Sequence, residues 1–370
     1  MKKNTKSALV LFLALFITGI PIYAADTCSA KSAILIEASS GDIIYEKNAH
    51  EKMPMASTTK IMTAIVALEH GNLNDTVTVS NESCGVEGSS IYLSPGETLT
   101  LEDLLYALML ESANDAAAAI AYHISGGIDE FADIMNATAE RIGVSNTHFT
   151  NPHGLDNEAH YTTASDLARI TAYALKNEDF RKIVSTYKKQ IPLRGDEGVR
   201  VLLNHNKLLR ISDDVIGVKT GFTKHSGRCL VSAAERDGVC LIAVTLSDPN
   251  DWKDHTNLHE MGFSSYSCVS LATPGEFCVQ IPCPGAPDGY LEVKNTDSLT
   301  KCVKNGSNIR HSVEADRMVF PPICEGETLG KVSFYSDDTL IGELPLLASF
   351  SVEEPPENRS LGKKILDFFR

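Results

Sequence analysis

The 370-residue sequence predicts an α+β fold, an antiparallel sheet with a helical cluster, followed by a small all-β sandwich domain. Strand-like runs occur in SAILIEASSGDIIYEKNA and again from Val215, and helical periodicity dominates between them. Beyond Ser267, helical periodicity is absent for about 80 residues, and short apolar runs are interrupted by proline and glycine. We therefore expect two soluble domains, at 25–266 and 267–352, because such a chain exceeds what one core usually supports.

The N-terminal segment predicts export. Lys2, Lys3 and Lys6 precede the uncharged stretch 8–20, a pattern typical of a cleaved signal peptide at 1–24, with an uncleaved anchor as the alternative. Cleavage removes three of the 33 Lys and Arg residues and none of the 48 Asp and Glu residues, which changes the net charge from -15 to -18. Such a surface repels nucleic acid, so no nucleic-acid partner is expected.

The nine cysteines all follow the predicted cleavage site, and their odd number leaves at least one thiol unpaired within the chain. No CxxC pair occurs, and no His/Cys grouping has the spacing of a zinc site, so we expect neither a metal nor a cofactor. Without a recognisable disulfide framework, mostly reduced cysteines are expected, in an anaerobic or weakly oxidising exterior.

The first elements are a hairpin and a helix. Two apolar-rich runs flank Ser40-Gly41-Asp42, which is a hairpin signal. The segment MPMASTTKIMTAIVALEH, 53–70, then becomes apolar with helical spacing after Ser57 and Lys60. Residues three apart on a helix share one face, so the serine and lysine side chains are expected to lie within reach of each other.

Helices are expected next from Leu101 onward, after Asn114 where small residues allow close burial, and over 127–142 and 164–176. From Val215 the pattern changes to strands, with Asp237-Gly238 marking a tight turn, and a last helix is expected over 252–261. The strands at the two ends of this domain are expected to be neighbours in one antiparallel sheet.

Ser57 and Lys60 suggest nucleophilic chemistry, but alone they are weak evidence. A serine hydroxyl is a poor nucleophile until a base takes its proton, and a lysine is such a base only where burial and neighbours lower its pKa. Two further segments strengthen the case: Ser112 and Asn114 interrupt a helical pattern, and Lys219 lies in VIGVKTGFT, a strand apolar enough to be central. A lysine there is costly unless a cleft edge or an anion receives it.

The ordered set of Ser57-Thr58-Thr59-Lys60, Ser112-Ala113-Asn114 and Lys219-Thr220-Gly221 resembles the SxxK, SxN and KTG motifs of penicillin-binding proteins and serine β-lactamases. More narrowly, MASTTKIMTA, ESANDAA, NPHGLDNEAHYTTASDLARI and GVKTGFT resemble serine-type D-alanyl-D-alanine carboxypeptidases. The resemblance covers the whole mature chain. It implies the penicillin-binding-protein/β-lactamase-like transpeptidase fold for the first domain.

The resemblance implies four catalytic side chains. Ser57 would be the nucleophile and Lys60 its general base. Ser112 would relay a proton to the leaving amine, and Asn114 would hold Lys60 and the substrate backbone.

It also implies a binding strand. Lys219 and Thr220 would meet the terminal carboxylate of the substrate, or the corresponding carboxylate of a β-lactam. Gly221 would leave room for substrate along the strand edge. The backbone N–H groups of Ser57 and Phe222 would form the oxyanion hole.

The implied reaction removes the terminal D-alanine from peptidoglycan pentapeptide stems through a Ser57 acyl-enzyme, which β-lactams would trap covalently. A β-lactamase would need a loop glutamate facing Ser57, and Glu158 is the only glutamate in NPHGLDNEAH. A D,D-endopeptidase would use the same residues on a cross-link. A non-catalytic wall-binding module is disfavoured because every motif residue is intact, and His153 is expected to be structural.

One stretch departs from the family pattern. Related carboxypeptidases often carry an arginine just before the last helix of this domain, whereas this chain has SDPNDWKDHTNL. Lys253 is the candidate substitute. A lysine lacks the bidentate fork of arginine, so carboxylate recognition would rest chiefly on Lys219 and Thr220.

The C-terminal segment, 353–370, predicts a linker and an amphipathic tail. EEPPEN is linker-like, and a helix after it would place Leu361, Ile365, Phe368 and Phe369 on one side. Its basic residues would attract anionic lipid, so peripheral attachment to the outer face of the cytoplasmic membrane is expected. A tail packed on the sandwich is the alternative.

Overall fold

The computed structural model of the protein describes residues 28–193 and 198–354. The predicted signal peptide and nearly all of the predicted amphipathic tail lie outside these residues. Among the described helices, none is long and apolar enough to cross a membrane.

The first domain is built on a five-stranded antiparallel sheet with the strand order β2-β1-β9-β8-β7. The strands are β1 (Ser32–Glu37), β2 (Ile43–Lys47), β7 (Val215–Thr223), β8 (Gly227–Arg236) and β9 (Val239–Leu246). Ile34 of β1 lies opposite Val244 of β9, so the first and last strands are neighbours, as predicted. The β1–β2 hairpin and the tight turn at Asp237 are also confirmed.

Strand β7 lies at the edge of this sheet, so its predicted central position is wrong. The apolar character of β7 has another cause. Its buried residues pack against the helical segment at Val184 and the turn at Ser57, and only one of its two edges pairs with a strand, β8. A Cβ added to Gly217 would lie 2.6 Å from the Val184 carbonyl oxygen, and one added to Gly221 would lie 3.0 Å from the Ser57 nitrogen. One side of β7 therefore packs tightly while its outer edge has no strand partner.

Seven helices pack around the sheet in the described part of this domain. They are α1 (Lys60–His70), α2 (Leu101–Leu110), α3 (Asn114–Ser125), α4 (Ile128–Ile142), α5 (Ala164–Ala174), α6 (Glu178–Ser185) and α7 (Asp251–Ser265). Residues 60–67 of α1 are all buried, so this helix lies at the centre of the core. Helix α6 and the small strand pairs β3–β4 (Thr76–Thr78, Thr98–Thr100) and β5–β6 (Lys188–Pro192, Val199–Leu203) were not predicted.

The C-terminal region is all-β, as predicted. A five-stranded sheet has the order β11-β12-β16-β15-β14, and β10 pairs with β13 in a second sheet. These strands are β10 (Tyr266–Ala272), β11 (Cys278–Pro282), β12 (Tyr290–Lys294), β13 (Leu299–Lys304), β14 (Ile309–Ala315), β15 (Thr328–Ser336) and β16 (Thr339–Ala348). Leu271 of β10 shares a buried cluster with residues of the larger sheet, including Val293 and Val332.

One cysteine pair is bonded although no disulfide framework was recognisable in the sequence. Cys268 and Cys302 face each other across β10 and β13 and form a disulfide. The other seven cysteines are free thiols, which agrees with a mostly reduced set.

Candidate active site

Ser57 lies in a 3₁₀ turn, Ala56–Thr59, that leads directly into α1. Ala56 has a φ of 47°, a left-handed conformation that is unfavourable for a residue with a Cβ. The loop containing Gly154 packs against this turn, since a Cβ on Gly154 would lie 2.0 Å from the Ala56 carbonyl oxygen. This close approach helps to fix the backbone that presents Ser57.

The Lys60 amine contacts three oxygen atoms. Its Nζ lies 3.0 Å from Ser57 Oγ, 2.7 Å from Asn114 Oδ1 and 2.6 Å from the His153 carbonyl oxygen. The amide and carbonyl oxygens can only accept hydrogen bonds, whereas the serine hydroxyl can also donate. A neutral Lys60 would therefore give its two protons to Asn114 and His153, which directs its lone pair to the Ser57 hydroxyl.

The electrostatic surroundings favour that neutral form. Burial lowers the pKa of Lys60 well below its usual range, the charge of Lys219 lowers it further, and Asp115 opposes the shift. Burial also lowers the pKa of Lys219, to about 7. Burial of both amines, and for Lys60 also the nearby charge of Lys219, thus disfavours full protonation of the pair.

The second motif lies in the short connection between α2 and α3. Ser112 is nearly buried and has a φ of 60°, and its hydroxyl makes no hydrogen bond within the described part of the chain. The Asn114 side chain donates to the Glu87 carbonyl oxygen. Asp115 accepts from the backbone N–H groups of Ile91 and Leu93, at 3.2 and 2.9 Å, which anchors the neighbouring loop.

The third motif supplies the opposite side of the site. Lys219 is buried, and its Nζ donates to the Thr220 carbonyl oxygen at 2.9 Å. Because a Cβ on Gly221 would lie 3.0 Å from the Ser57 nitrogen, glycine permits β7 to approach the Ser57 turn. The adjoining Phe222 side chain is 65% exposed.

These segments enclose a cavity of about 370 Å³. The predicted residues Ser57, Ser112, Thr220, Gly221 and Phe222 line it, whereas Lys60, Asn114 and Lys219 are buried behind its wall. Its other lining residues are Ser89, His205, Lys207, Arg228, Asp251 and Trp252. The predicted site residues therefore lie together around one cavity, but six of the residues that line this cavity were not predicted.

The unpredicted residues belong to no short motif. One register argument could have found Arg228, since Phe222 lies directly opposite it in the β7–β8 pair. Lys253, the candidate substitute for the missing arginine, is exposed and does not line the cavity.

Two other features are poor candidates for catalysis. Burial and the charge of Lys60 lower the pKa of His153 to about 3, which makes its imidazole a weak base. A larger cavity of about 710 Å³ lies in the all-β region and is lined by Gln280, Pro287, Asp288, Tyr290, Glu292 and Phe350. No serine or lysine from the described part of the chain lines that cavity.

Known proteins give an independent comparison. The D-alanyl-D-alanine carboxypeptidase DacF of Bacillus subtilis is 32% identical over 330 residues, which cover 86% of this chain and 85% of that protein. DacA of Escherichia coli, another D-alanyl-D-alanine carboxypeptidase, is 30% identical over 359 residues, covering 92% and 87%.

The solved structure of penicillin binding protein 5 from Haemophilus influenzae matches with a TM-score of 0.69 and 26% identity, covering 88% of this chain and 98% of that chain. This match confirms the predicted transpeptidase fold. The model of the D-alanyl-D-alanine carboxypeptidase family, peptidase S11, matches residues 21–250. The chain therefore belongs to the serine-type D-alanyl-D-alanine carboxypeptidase family, as its three motifs indicated.

Proposed function

We propose that this protein removes the terminal D-alanine from peptidoglycan pentapeptide stems through an acyl-enzyme on Ser57. The observation that carries the proposal is the Lys60 amine, buried and 3.0 Å from Ser57 Oγ, with its other two contacts made to acceptors. Lys60 takes the hydroxyl proton while Ser57 Oγ attacks the carbonyl carbon of the penultimate D-alanine. β-Lactams acylate the same oxygen.

The peptide C–N bond then breaks, and the leaving amine needs a proton. Ser112 lines the same cavity and has an uncommitted hydroxyl among the described residues, so it passes the proton from Lys60 to that amine. The N–H groups of Ser57 and Phe222 bind the oxyanion, at the place where Gly221 allows the two segments to meet. Water subsequently hydrolyses the ester, with Lys60 again acting as the base. The proposal requires no cofactor.

A competing β-lactamase function lacks support in the loop that approaches Ser57. Efficient deacylation of a β-lactam adduct requires a carboxylate that activates water near the ester. Glu158, the only glutamate of that loop, is exposed to solvent. This loop instead provides the His153 carbonyl oxygen, which accepts a hydrogen bond from Lys60. A D,D-endopeptidase would use every residue named here. Its substrate, a cross-link, would differ only in carrying a longer leaving group.

The decisive experiment measures free D-alanine released from a pentapeptide ending in D-Ala-D-Ala, together with intact-protein mass spectrometry after penicillin. The wild type should release D-alanine and gain one penicillin. Ser57→Ala should do neither while keeping its circular dichroism spectrum. Ser264→Ala, which removes an exposed hydroxyl in α7, is the control and should match the wild type. An adduct that persists in Ser57→Ala would overturn the assignment of the nucleophile.

We further propose that the mature enzyme acts outside the cytoplasm, attached peripherally to the outer face of the membrane. Support comes from the sequence: the signal-peptide pattern, and four basic residues against one acidic residue over 359–370 in an otherwise acidic protein. Truncation after Pro356 should abolish binding to anionic vesicles without changing D-alanine release from a soluble peptide. Equal vesicle binding by both forms would contradict membrane attachment through the tail.

A further inference from the structure

Three side chains of types that bind metals lie together at the point where the described chain begins. Cys28 comes just before β1, Asp248 just after β9, and Asp254 in the first turn of α7. The Cys28 Sγ atom and one carboxylate oxygen of each aspartate lie within 4.8 Å of one another. In that order, the three residues are only 0, 1 and 6% exposed. The cluster is therefore buried, and its members are too far apart in the sequence to show a metal-binding spacing.

Both carboxylates converge on the hydroxyl of Ser29. Its Oγ atom lies 2.8 Å from Asp248 Oδ1 and 2.6 Å from Asp254 Oδ2. The side-chain amide of Asn250 donates to the same Oγ atom, at 3.2 Å. Because a serine hydroxyl carries one proton, it can donate to only one of the two carboxylates at a time. The fold thus brings two buried acidic groups to one donor, which is unfavourable unless a proton or a cation lies between them.

Asp248 also keeps an unused oxygen atom. Its Oδ1 accepts a hydrogen bond from the Asn250 backbone N–H at 3.0 Å, whereas Oδ2 is buried and has no hydrogen-bond partner among the described residues. Neither Asp248 nor Asp254 forms an ion pair within the described part of the chain. Burial raises the pKa of Asp248, and the charge of Asp254 acts in the same direction. A buried carboxylate oxygen without a partner is costly, so Oδ2 is the atom that a cation would stabilise most.

The donor atoms favour zinc over harder cations. Zn²⁺ binds Cys sulfur and Asp oxygen atoms, usually with four ligands in a tetrahedron. Ca²⁺ and Mg²⁺ prefer sites made only of oxygen atoms. Ligand atoms around a tetrahedral zinc lie roughly 3 to 4 Å apart, so small side-chain rotations in this cluster would complete the coordination.

Zinc binding would change the protonation of Cys28. Burial raises the pKa of its thiol to about 12, so the thiol holds its proton when no metal is bound. As the Sγ–Zn bond forms, the S–H bond breaks and the proton passes to solvent, with no change of oxidation state. Lys47, whose Nζ donates to the Cys28 carbonyl oxygen at 2.9 Å, supplies positive charge beside the three anionic ligands.

We propose that Cys28, Asp248 and Asp254 bind one Zn²⁺ ion, with the Ser29 hydroxyl or a water molecule as the fourth ligand. The site is structural: it joins the segment before β1 to the start of α7, and none of its three residues lines the cavity at Ser57. Zinc should stabilise the folded chain, because the unfolded chain has no preformed site. The inference does not depend on the proposed function. It replaces the expectation of a metal-free protein, which rested on sequence spacing alone.

The test uses the mature chain without an affinity tag. Its parent form carries Cys278→Ser and Cys324→Ser, which removes the two exposed thiols. After treatment with a chelator, the protein is loaded with zinc, dialysed and assayed for metal by mass spectrometry, and one zinc per chain should remain. Zinc at 100 times its dissociation constant should raise the Tm by roughly 5 to 10 °C. Cobalt in place of zinc should give a thiolate-to-cobalt charge-transfer band.

Substitution of the ligands should separate their roles. Cys28→Ser should lose the charge-transfer band and bind zinc at least roughly 10- to 100-fold more weakly. Asp248→Asn and Asp254→Asn should weaken zinc binding similarly, because each loses an anionic ligand. Cys283→Ser is the matched control: it removes another buried free thiol, in the C-terminal region, and should bind zinc like the parent.

A parent protein that retains no zinc and shows no charge-transfer band would overturn the inference, and a proton shared by the two carboxyl groups would then explain the cluster. This outcome needs no variant to fold. A band that persists in Cys28→Ser would also overturn it, because the sulfur ligand would lie elsewhere. An equal rise of the Tm with Ca²⁺ would count against Cys28 as a ligand, since a thiolate is a poor ligand for that cation.

Discussion

The carbonyl oxygen of His153, and not its imidazole, reaches Lys60: the distance to Nζ is 2.6 Å. The sequence predicts a structural role for His153, and the structure uses the backbone carbonyl of this residue as an acceptor. Together with Asn114 Oδ1 it occupies two donor positions of Lys60. In the remaining contact, a neutral Lys60 can accept a hydrogen bond from the Ser57 hydroxyl, which is the direction that proton abstraction requires.

Replacing Lys60 with arginine should abolish acylation. Arginine keeps a positive charge but does not deprotonate in proteins, so it cannot accept the Ser57 proton. We expect the rate of penicillin acylation, followed by stopped-flow or mass spectrometry, to fall at least ~1,000-fold. Lys182→Arg, at an exposed ion pair with Glu102, provides a control that should acylate normally. Near wild-type acylation by Lys60→Arg would place the base elsewhere, with Lys219 the next suspect.

Asn114→Asp should shift the pH dependence of acylation. The new carboxylate would lie beside the Lys60 amine and would favour its charged form, so the pKa of Lys60 should rise. In the proposed mechanism the neutral amine is the active form, so the rising limb of acylation rate against pH should move to higher pH. An unmoved limb, in a folded variant, would show that Lys60 is not the group that titrates.

Gly221→Ala tests the approach of β7 to the Ser57 turn. Its Cβ would lie 3.0 Å from the Ser57 nitrogen and 3.2 Å from the Thr58 nitrogen, closer than side chains ordinarily come. The new methyl group would separate the two proposed oxyanion donors, and loss of one such donor typically costs 100- to 1,000-fold in rate, roughly. Gly275→Ala, with no atom within 4 Å but a positive φ, controls for a general loss of stability. Undiminished acylation by Gly221→Ala would exclude this oxyanion arrangement.

The parts of the site that could be predicted are those with local signatures. Ser57 and Lys60 are three residues apart, so helical geometry alone brings them together. Lys219 could be recognised as costly in an apolar strand, but its strand was placed at the centre of the sheet instead of the edge. Apolar composition reports burial and does not say whether a strand or a helix covers the residue.

The parts that could not be predicted depend on long-range packing. Lys207 and Trp252 come from a short 3₁₀ turn and a helix, and nothing in their sequence spacing indicates that they share one cavity with Arg228 of β8. The role of Gly154 depends in the same way on a contact with Ala56, about 100 residues earlier in the chain. Such contacts require the sheet order and the helix positions to be known first.

Four histidines with lowered pKa values should make the fold sensitive to acid. Burial lowers the pKa of His153 to about 3 and those of His160 and His259 to about 4, and it places the pKa of His255 well below its usual range. Unfolding restores values near 6.5. The unfolded state therefore binds more protons as the pH falls below about 6.5, and the folded state loses stability progressively. Urea denaturation should show the free energy of unfolding falling between pH 7 and pH 5, by about 1 to 2 kcal/mol for a histidine whose pKa is lowered to about 4 in the folded state.

His259→Gln tests this dependence. It should remove part of the slope of unfolding free energy against pH, whatever its effect at neutral pH, because one buried titrating group is gone. His50→Gln, at a side chain that is 69% exposed, should leave the slope unchanged. Equal slopes for the wild type and His259→Gln would show that the buried histidine does not contribute.

The last prediction concerns the thiols. The disulfide between Cys268 and Cys302 joins β10 to β13 in the C-terminal region, whereas Ser57, Lys60 and Lys219 belong to the first domain, whose described cysteines are free. A core of that size does not depend on a covalent link. D-alanine release should therefore stay within about twofold of its starting rate after full reduction.

Cys268→Ser/Cys302→Ser should behave like the reduced wild type. Native alkylation should modify Cys278 and Cys324, which are exposed, before Cys229, because burial raises the pKa of the Cys229 thiol to about 11 and keeps it protonated. This order matters because Cys229 lies opposite Gly221 in the β7–β8 pair and its modification would disturb the site. Loss of activity on reduction, with recovery on reoxidation, would show that a disulfide supports the catalytic domain after all.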